Sequence, residues 1–125
     1  MKAFITDGYG KKETLRAGEM PEPALRDNEV LVEVHAASIN VLDVKIRNGE
    51  FKLLLPYRAP FVLGHDVAGV VVRVGAQVSQ FKLGDAVYAR LDDFRIGGFA
   101  VFVAVQESSL ARKPQNISME EAASI

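Results

Sequence analysis

The chain has 125 residues, enough for one domain with a real core, and its 49% hydrophobic and 25% charged content is ordinary for a globular protein. A net charge of −1, with both signs interspersed and no basic run beyond Lys11-Lys12, gives no electrostatic basis for binding nucleic acid or an anionic membrane. Cysteine is absent, which excludes disulfides, thiolate chemistry and cysteine-based metal sites. No apolar run approaches the roughly 18–20 residues of a membrane span. The opening MKAFITDGYG has a single Lys and no long apolar stretch, so it reads as a first strand rather than a secretion signal. The cytoplasm is the compartment expected from these features.

Strand signals dominate. Lys2 to Thr6 starts as a half-buried strand and breaks at the turn cluster Asp7-Gly8-Tyr9-Gly10. Leu15 to Glu19 is a weaker strand, stopped by Pro21 and Pro23, which cannot donate to a ladder. After the polar turn Arg26-Asp27-Asn28-Glu29, Val30 to Ala36 alternates, with Val30, Val32, Val34 and Ala36 on one face. The period then changes. Asn40 to Asn48 reads as a short helix with Asn40 as N-cap, Asp43 near the positive end of the dipole and Gly49 at the C-terminal cap. Phe51 to Pro60 reads as an irregular loop. Strands are then predicted at Asp66–Val74, Ala86–Ala89, Phe99–Val105 and Leu110–Arg112.

Many short strands with closely spaced turns imply a sandwich or a partly closed barrel. At the far end, Ser118-Met119-Glu120-Glu121 is a capping box that announces a helix. Only Ala122 to Ile125 remain to continue it, and so short a helix needs tertiary packing to form. The expectation from this start signal is a piece of a longer chain.

The motifs in order are AASIN (Ala36–Asn40), DVKIRNGEF (Asp43–Phe51), LGHDVAGVVVRVG (Leu63–Gly75), FKLGDAVYA (Phe81–Ala89), GGFA (Gly97–Ala100) and SMEEAASI (Ser118–Ile125). Together they resemble the catalytic domain of the medium-chain dehydrogenases/reductases, within the zinc-containing alcohol dehydrogenase superfamily, and most of all its zinc-independent quinone oxidoreductase branch. The resemblance runs over nearly the whole chain. It implies a mainly β fold with short helices, a GroES-like, partly open β-barrel over residues 1–125. In the family a Rossmann domain for NADPH follows that barrel. Its Gly-rich fingerprint holds pyrophosphate on backbone N–H groups at a helix N-terminus. No G-x-G-x-x-G occurs in this sequence, so NADPH is expected to be bound mainly by a Rossmann domain absent from these residues. Two positions depart from the family pattern: Val41 and Val101 stand where many relatives carry Pro and Glu.

His65-Asp66 occupies the position where the zinc-dependent cousins place a Gly-His-Glu beside their metal. A catalytic zinc needs three protein ligands and an open position. The usual Cys partners are absent, with Asn40 standing where one is expected, and no four-cysteine lobe fits between Arg90 and Gly98. No zinc is expected, and the bland account of His65-Asp66 is a polar pair closing a turn at the head of a strand.

Asn40 is the strongest catalytic candidate. As an N-cap its side chain serves the backbone; the resemblance adds a place at the cleft floor, near the nicotinamide and the substrate carbonyl. A neutral amide donor could polarise that carbonyl where no metal does so, and the two roles are compatible. Lys45 either faces the cofactor, as the resemblance suggests, or is a solvated helix residue like Arg47. Asp43 reads as a dipole and capping residue rather than an acid catalyst. Tyr57 and Arg58 either line a substrate entrance or stand exposed on a Pro-flanked loop. The substrate cleft is expected to draw on Tyr57, His65 and Asp66. His35, on a strand, reads as a rim or partly buried histidine.

The resemblance implies the substrate-side domain of an NADPH-dependent oxidoreductase that reduces a quinone or an activated alkene or carbonyl by hydride transfer. The isolated chain is expected to be inactive. The partners expected are a small-molecule substrate, the Rossmann domain and, in one reading, further copies in a homo-oligomer. The alternative is a free-standing binding or self-associating β-barrel module without enzymatic activity.

Overall fold

A computed structural model describes residues 1–6, 15–39, 43, 61–91 and 96–124. The described residues form two open sheets. One has three strands in the order β2-β1-β4, with β1 at Lys2–Thr6, β2 at Arg16–Glu19 and β4 at Phe61–Val62. The other has five, in the order β7-β3-β5-β6-β8. Its members are β3 (Glu29–Ser38), β5 (Asp66–Val74), β6 (Ala86–Arg90), β7 (Phe102–Gln106) and β8 (Leu110–Arg112). Every pairing between these strands is antiparallel. The mainly β, GroES-like expectation is met.

The core lies on one face of the larger sheet, where Val30, Val32, Val67, Val71, Val87 and Val105 are essentially inaccessible. β-branched side chains suit a pleated, crowded surface, and each full burial is worth about 1.5–3 kcal/mol. The alternation read from residues 30–36 holds only in part. Glu29 to Val32 are all buried, Leu31 included, so both faces of β3 are covered over this stretch. From Glu33 onward the strand becomes half-exposed.

Two register shifts break the β3–β5 ladder, between Leu31 and Val32 and between Val34 and Ala36. Gly69 sits opposite Val34 at the second shift. A side chain there would run into the Glu33 carbonyl, so the crossing needs glycine. The turn at Leu83-Gly84-Asp85 is closed by Asp85 accepting from the Lys82 N–H at 3.0 Å. Gly84 takes a φ of 91°, which glycine alone adopts freely.

Two elements differ from the sequence expectation. β7 begins at Phe102 instead of Phe99, because residues 99–101 turn to the small sheet, with Val101 still joined to β3 through its carbonyl. Phe4 N–H donates to the Phe99 carbonyl at 2.9 Å, Val101 N–H to Lys2 at 3.1 Å, and Ala3 pairs with Ala100. β4 has no counterpart among the predicted strands; two residues carry no readable period, and it exists only through pairing with Ile5 and Thr6.

The capping box forms as read. Glu121 N–H donates to Ser118 Oγ at 3.1 Å and Ser118 N–H donates to Glu121 Oε1 at 3.0 Å. The helix it starts, α1 (Met119–Ala123), lays Ala122 and Ala123 against Ala68. Ser38 Oγ donates to the Ala123 carbonyl at 2.7 Å, tying the end of β3 to the end of α1. Small side chains let this single turn of helix approach closely, and that packing offsets its nucleation cost.

Candidate functional site

The head of β5 gathers most of the polar chemistry buried among the described residues. Gly64 takes a φ of 116°, and its carbonyl accepts from the N–H groups of Gly97 and Gly98, each at 3.2 Å. A Cβ at residue 64 would come within 2.8 Å of the Gly98 and Phe99 nitrogens. The GGFA segment and the L-G-H-D segment thus cross at backbone contact, which explains why both are glycine-rich. One residue on, the His65 carbonyl accepts from Leu91 N–H.

His65 turns its ring inward. Its side chain is 1% exposed, and Nδ1 lies 2.5 Å from Oδ1 of Asp43, which is 2% exposed. The same oxygen accepts from the Gly64 N–H at 3.2 Å. A carboxylate can only accept, so Nδ1 carries the proton in this contact. Asp43, read from the sequence as a dipole and capping residue, is helical and buried, with its carboxylate committed to the head of β5. Sequence spacing offered no signal for this pair, whose members are 22 positions apart.

Asp66, the first residue of β5, is half-buried and stands in register with Ser38 on one side and Arg90 on the other. His35 is a rim residue as expected, 42% exposed, with Nε2 3.1 Å from Glu33 Oε1. Asn40, Lys45, Tyr57 and Arg58 lie outside the described residues, as do most of the predicted 40–48 helix and the 51–60 loop. Among the described residues no three His, Cys, Asp or Glu side chains cluster as metal ligands would.

Beside this crossing, an open groove of about 1030 Å³ runs between the β1–β2 edge and the outer end of β3. Phe4, Ile39 and Val101 line it and are exposed, at 55%, 75% and 38%. Gly98, Phe99 and Ala100 also line it, Lys2 and Glu19 bring its charges, and His35 adds a polar ring. The sequence reading named none of these as a groove, because they come from four separate stretches. Only the bridge made by residues 99–101 brings them together.

Two antiparallel sheets bridged by a glycine-rich crossing define a GroES-like domain, and residues 26–115 match the family model described as the alcohol dehydrogenase GroES-like domain. The chain belongs to that family. It is 39% identical over 126 residues to the chloroplastic quinone-oxidoreductase QR1 of Triphysaria versicolor, covering all of this chain and 38% of that protein. It is also 39% identical over 132 residues to the chloroplastic NADPH-dependent alkenal/one oxidoreductase of Arabidopsis thaliana, spanning 34% of it. In three dimensions it resembles the quinone oxidoreductase from Coxiella burnetii, with a TM-score of 0.90 at 32% identity, over all of this chain and 40% of that one. The relatives are oxidoreductases, so the comparisons do not favour the free-standing, non-enzymatic alternative. The chain spans little more than a third of the length of these curated relatives.

Proposed function

We propose that this domain forms the substrate-side wall of an NADPH-dependent oxidoreductase acting on a quinone or an activated alkene or carbonyl. The observation that carries the reading is similarity over the full length of the chain to quinone and alkenal oxidoreductases. NADPH, when bound, supplies the hydride, and a second, Rossmann-type domain holds most of it. This chain lacks the Gly-rich fingerprint that would cradle pyrophosphate, so its own share is limited to the nicotinamide end of the cofactor.

Asn40 is the residue assigned to the substrate carbonyl. Its carboxamide N–H donates to the oxygen on which negative charge develops, which does the work of a Lewis acid without metal. Lys45, on the same predicted helix, faces the cofactor as a cation. Tyr57 and Asp66 belong to the cleft in this reading, Tyr57 at the entrance and Asp66 at the head of β5, while the His65 ring is buried against Asp43 and backs the cleft instead of lining it. Holding the acceptor in line with the hydride donor supplies much of the acceleration.

The test is NADPH oxidation by the protein that carries these residues, with 1,4-benzoquinone or an α,β-unsaturated aldehyde as acceptor. Asn40→Ala should lower kcat by about 10²–10³, the cost of losing one oxyanion donor. An unchanged kcat would remove Asn40 from the mechanism, and no turnover of either acceptor would remove the reading.

A further inference from the structure

We propose that a second copy of this chain docks on the outer edge of β3, at residues 35–38. The two β3 strands pair antiparallel about a two-fold axis and join the two large sheets into one. This surface is separate from the proposed catalytic role of Asn40 and is compatible with it. β3 runs from Glu29 to Ser38, but its partner β7 covers only Glu29 to Glu33. One further bond, from Val34 N–H to the Val101 carbonyl at 2.8 Å, ends that contact, and residues 99–101 pair with β1 instead. On its other edge β3 stays paired with β5 through Ala36, Ala37 and Ser38. Residues 35–38 therefore keep strand geometry, while among the described residues nothing hydrogen-bonds to the backbone of their outer edge.

Such an edge is a row of backbone donors and acceptors that another strand can complete. The groove beside it is apolar, with Phe4, Ile39 and Val101 exposed in its walls and Ala37 exposed on the strand itself. A small apolar molecule would cover the side chains and leave the backbone groups unanswered, so the edge fits a strand better. Three features favour a strand of the same chain. Antiparallel pairing about a two-fold uses one edge on both copies, so this single surface is self-complementary. An axis centred on Ala36 or Ala37 sets alanine against alanine. His35, the one titratable residue of the four, then faces Ala37 or Ile39 of the second copy, and no like charges are opposed. The net charge of −1 leaves little repulsion between copies.

The test is sedimentation of the 125-residue chain over about a hundredfold range of concentration, since pairing of copies follows mass action. The mass should rise from 13.6 kDa toward twice that value. Hydrogen exchange at the two extremes should slow the outer-edge amides within residues 35–38 by about twofold or more at high concentration, and leave Val30 to Val32 unchanged. Ala37→Lys puts a solvated charge on the edge and should hold the protein at the monomer mass, with its Tm at low concentration within about 3 °C of wild type. If Ala37→Lys does not fold, Val101→Glu, which places a carboxylate in the groove the partner must enter, decides by the same mass measurement. A monomer at every concentration would overturn the proposal. So would a dimer that persists in a folded Ala37→Lys, or one that protects other amides and leaves 35–38 exchanging freely. Slow exchange at 35–38 in the monomer would show that another segment of the chain covers the edge, and would equally overturn it.

Discussion

Gly69 in β5 presses its bare α-carbon onto the Glu33 carbonyl of β3, so closely that a Cβ at residue 69 would overlap that oxygen. The contact lies at the second register shift of the β3–β5 ladder, where β3 passes from buried to half-exposed. The obstacle is backbone, which cannot swing aside as a side chain can. Gly69→Ala should therefore destabilise by at least the 1–3 kcal/mol typical of overpacking, about 5 °C or more in Tm. Thermal unfolding followed by circular dichroism measures this; a Tm within a degree of wild type would show that the crossing is looser than described.

The capping box at Ser118 and Glu121 gives a prediction with a pH sign. Bonds from the Ser118 N–H and hydroxyl region hold the Glu121 carboxyl below its usual value of 4.5, the backbone bond contributing most. A lowered native pKa means that the ionised form favours folding. The contribution is present above the ordinary glutamate range and is lost as pH falls through the lowered value. Glu121→Gln should then be less stable than wild type at neutral pH, and the gap should close on acidification below about pH 4.5. Tm measured against pH for both proteins checks it, and a constant gap would contradict it.

Ser118→Ala removes the hydroxyl that accepts from Glu121 N–H, and should cost about 1 kcal/mol. The loss should appear first as faster amide exchange in residues 119–123, because α1 is one turn long and depends on its cap. Unaltered exchange there would mean that packing of Ala122 and Ala123 alone holds the helix.

Arg112 stacks its guanidinium 5.1 Å from the Phe81 ring centroid and donates from Nη2 to the Gln80 carbonyl at 2.5 Å. Its side chain is 64% exposed, so water screens its 3.8 Å approach to Asp85. Arg112→Ala should cost about 0.5–1 kcal/mol, mostly through the ring contact. Raising the salt concentration should change that difference little, and a strong salt dependence would assign the effect to Asp85 instead.

Val101 stands where the family resemblance implies Glu, and its surroundings leave the side chain little constrained. Its backbone makes the structural contacts, N–H to Lys2 and carbonyl to Val34 N–H at 2.8 Å, while the side chain is 38% exposed in the groove. Val101→Glu should leave stability within about 0.5 kcal/mol. It should also weaken binding of an apolar dye such as ANS, which would otherwise settle on Phe4 and Ile39. A large loss of stability would show that the valine side chain is packed.

Much of the fold was legible in local pattern. Lys2–Thr6, Asp66–Val74 and Leu110–Arg112 form strands at their predicted bounds, and the Ser118 capping box starts its helix, because period, turn residues and caps act within a few positions. The departures share one cause. β4 and the early end of β7 depend on partners more than 40 residues away in sequence, and no local period announces such a partner. The candidate site divides the same way. Residue types alone identified His65 and Asp66 as the polar head of β5 and argued against a cysteine-ligated metal. That Asp43 would be buried against His65 could not be read from spacing, since two groups 22 positions apart meet only when the sheet places them.

By itself, the sequence determined most of the strands, though not β4, together with the glycine positions and the family, all of which follow from side-chain chemistry acting over a few residues. The tertiary structure alone decided which backbones cross at Gly64 and Gly69, and that the Asp43 carboxylate points inward. Hydrogen bonds and close packing between distant segments depend on position in space, and chain order does not encode that position locally.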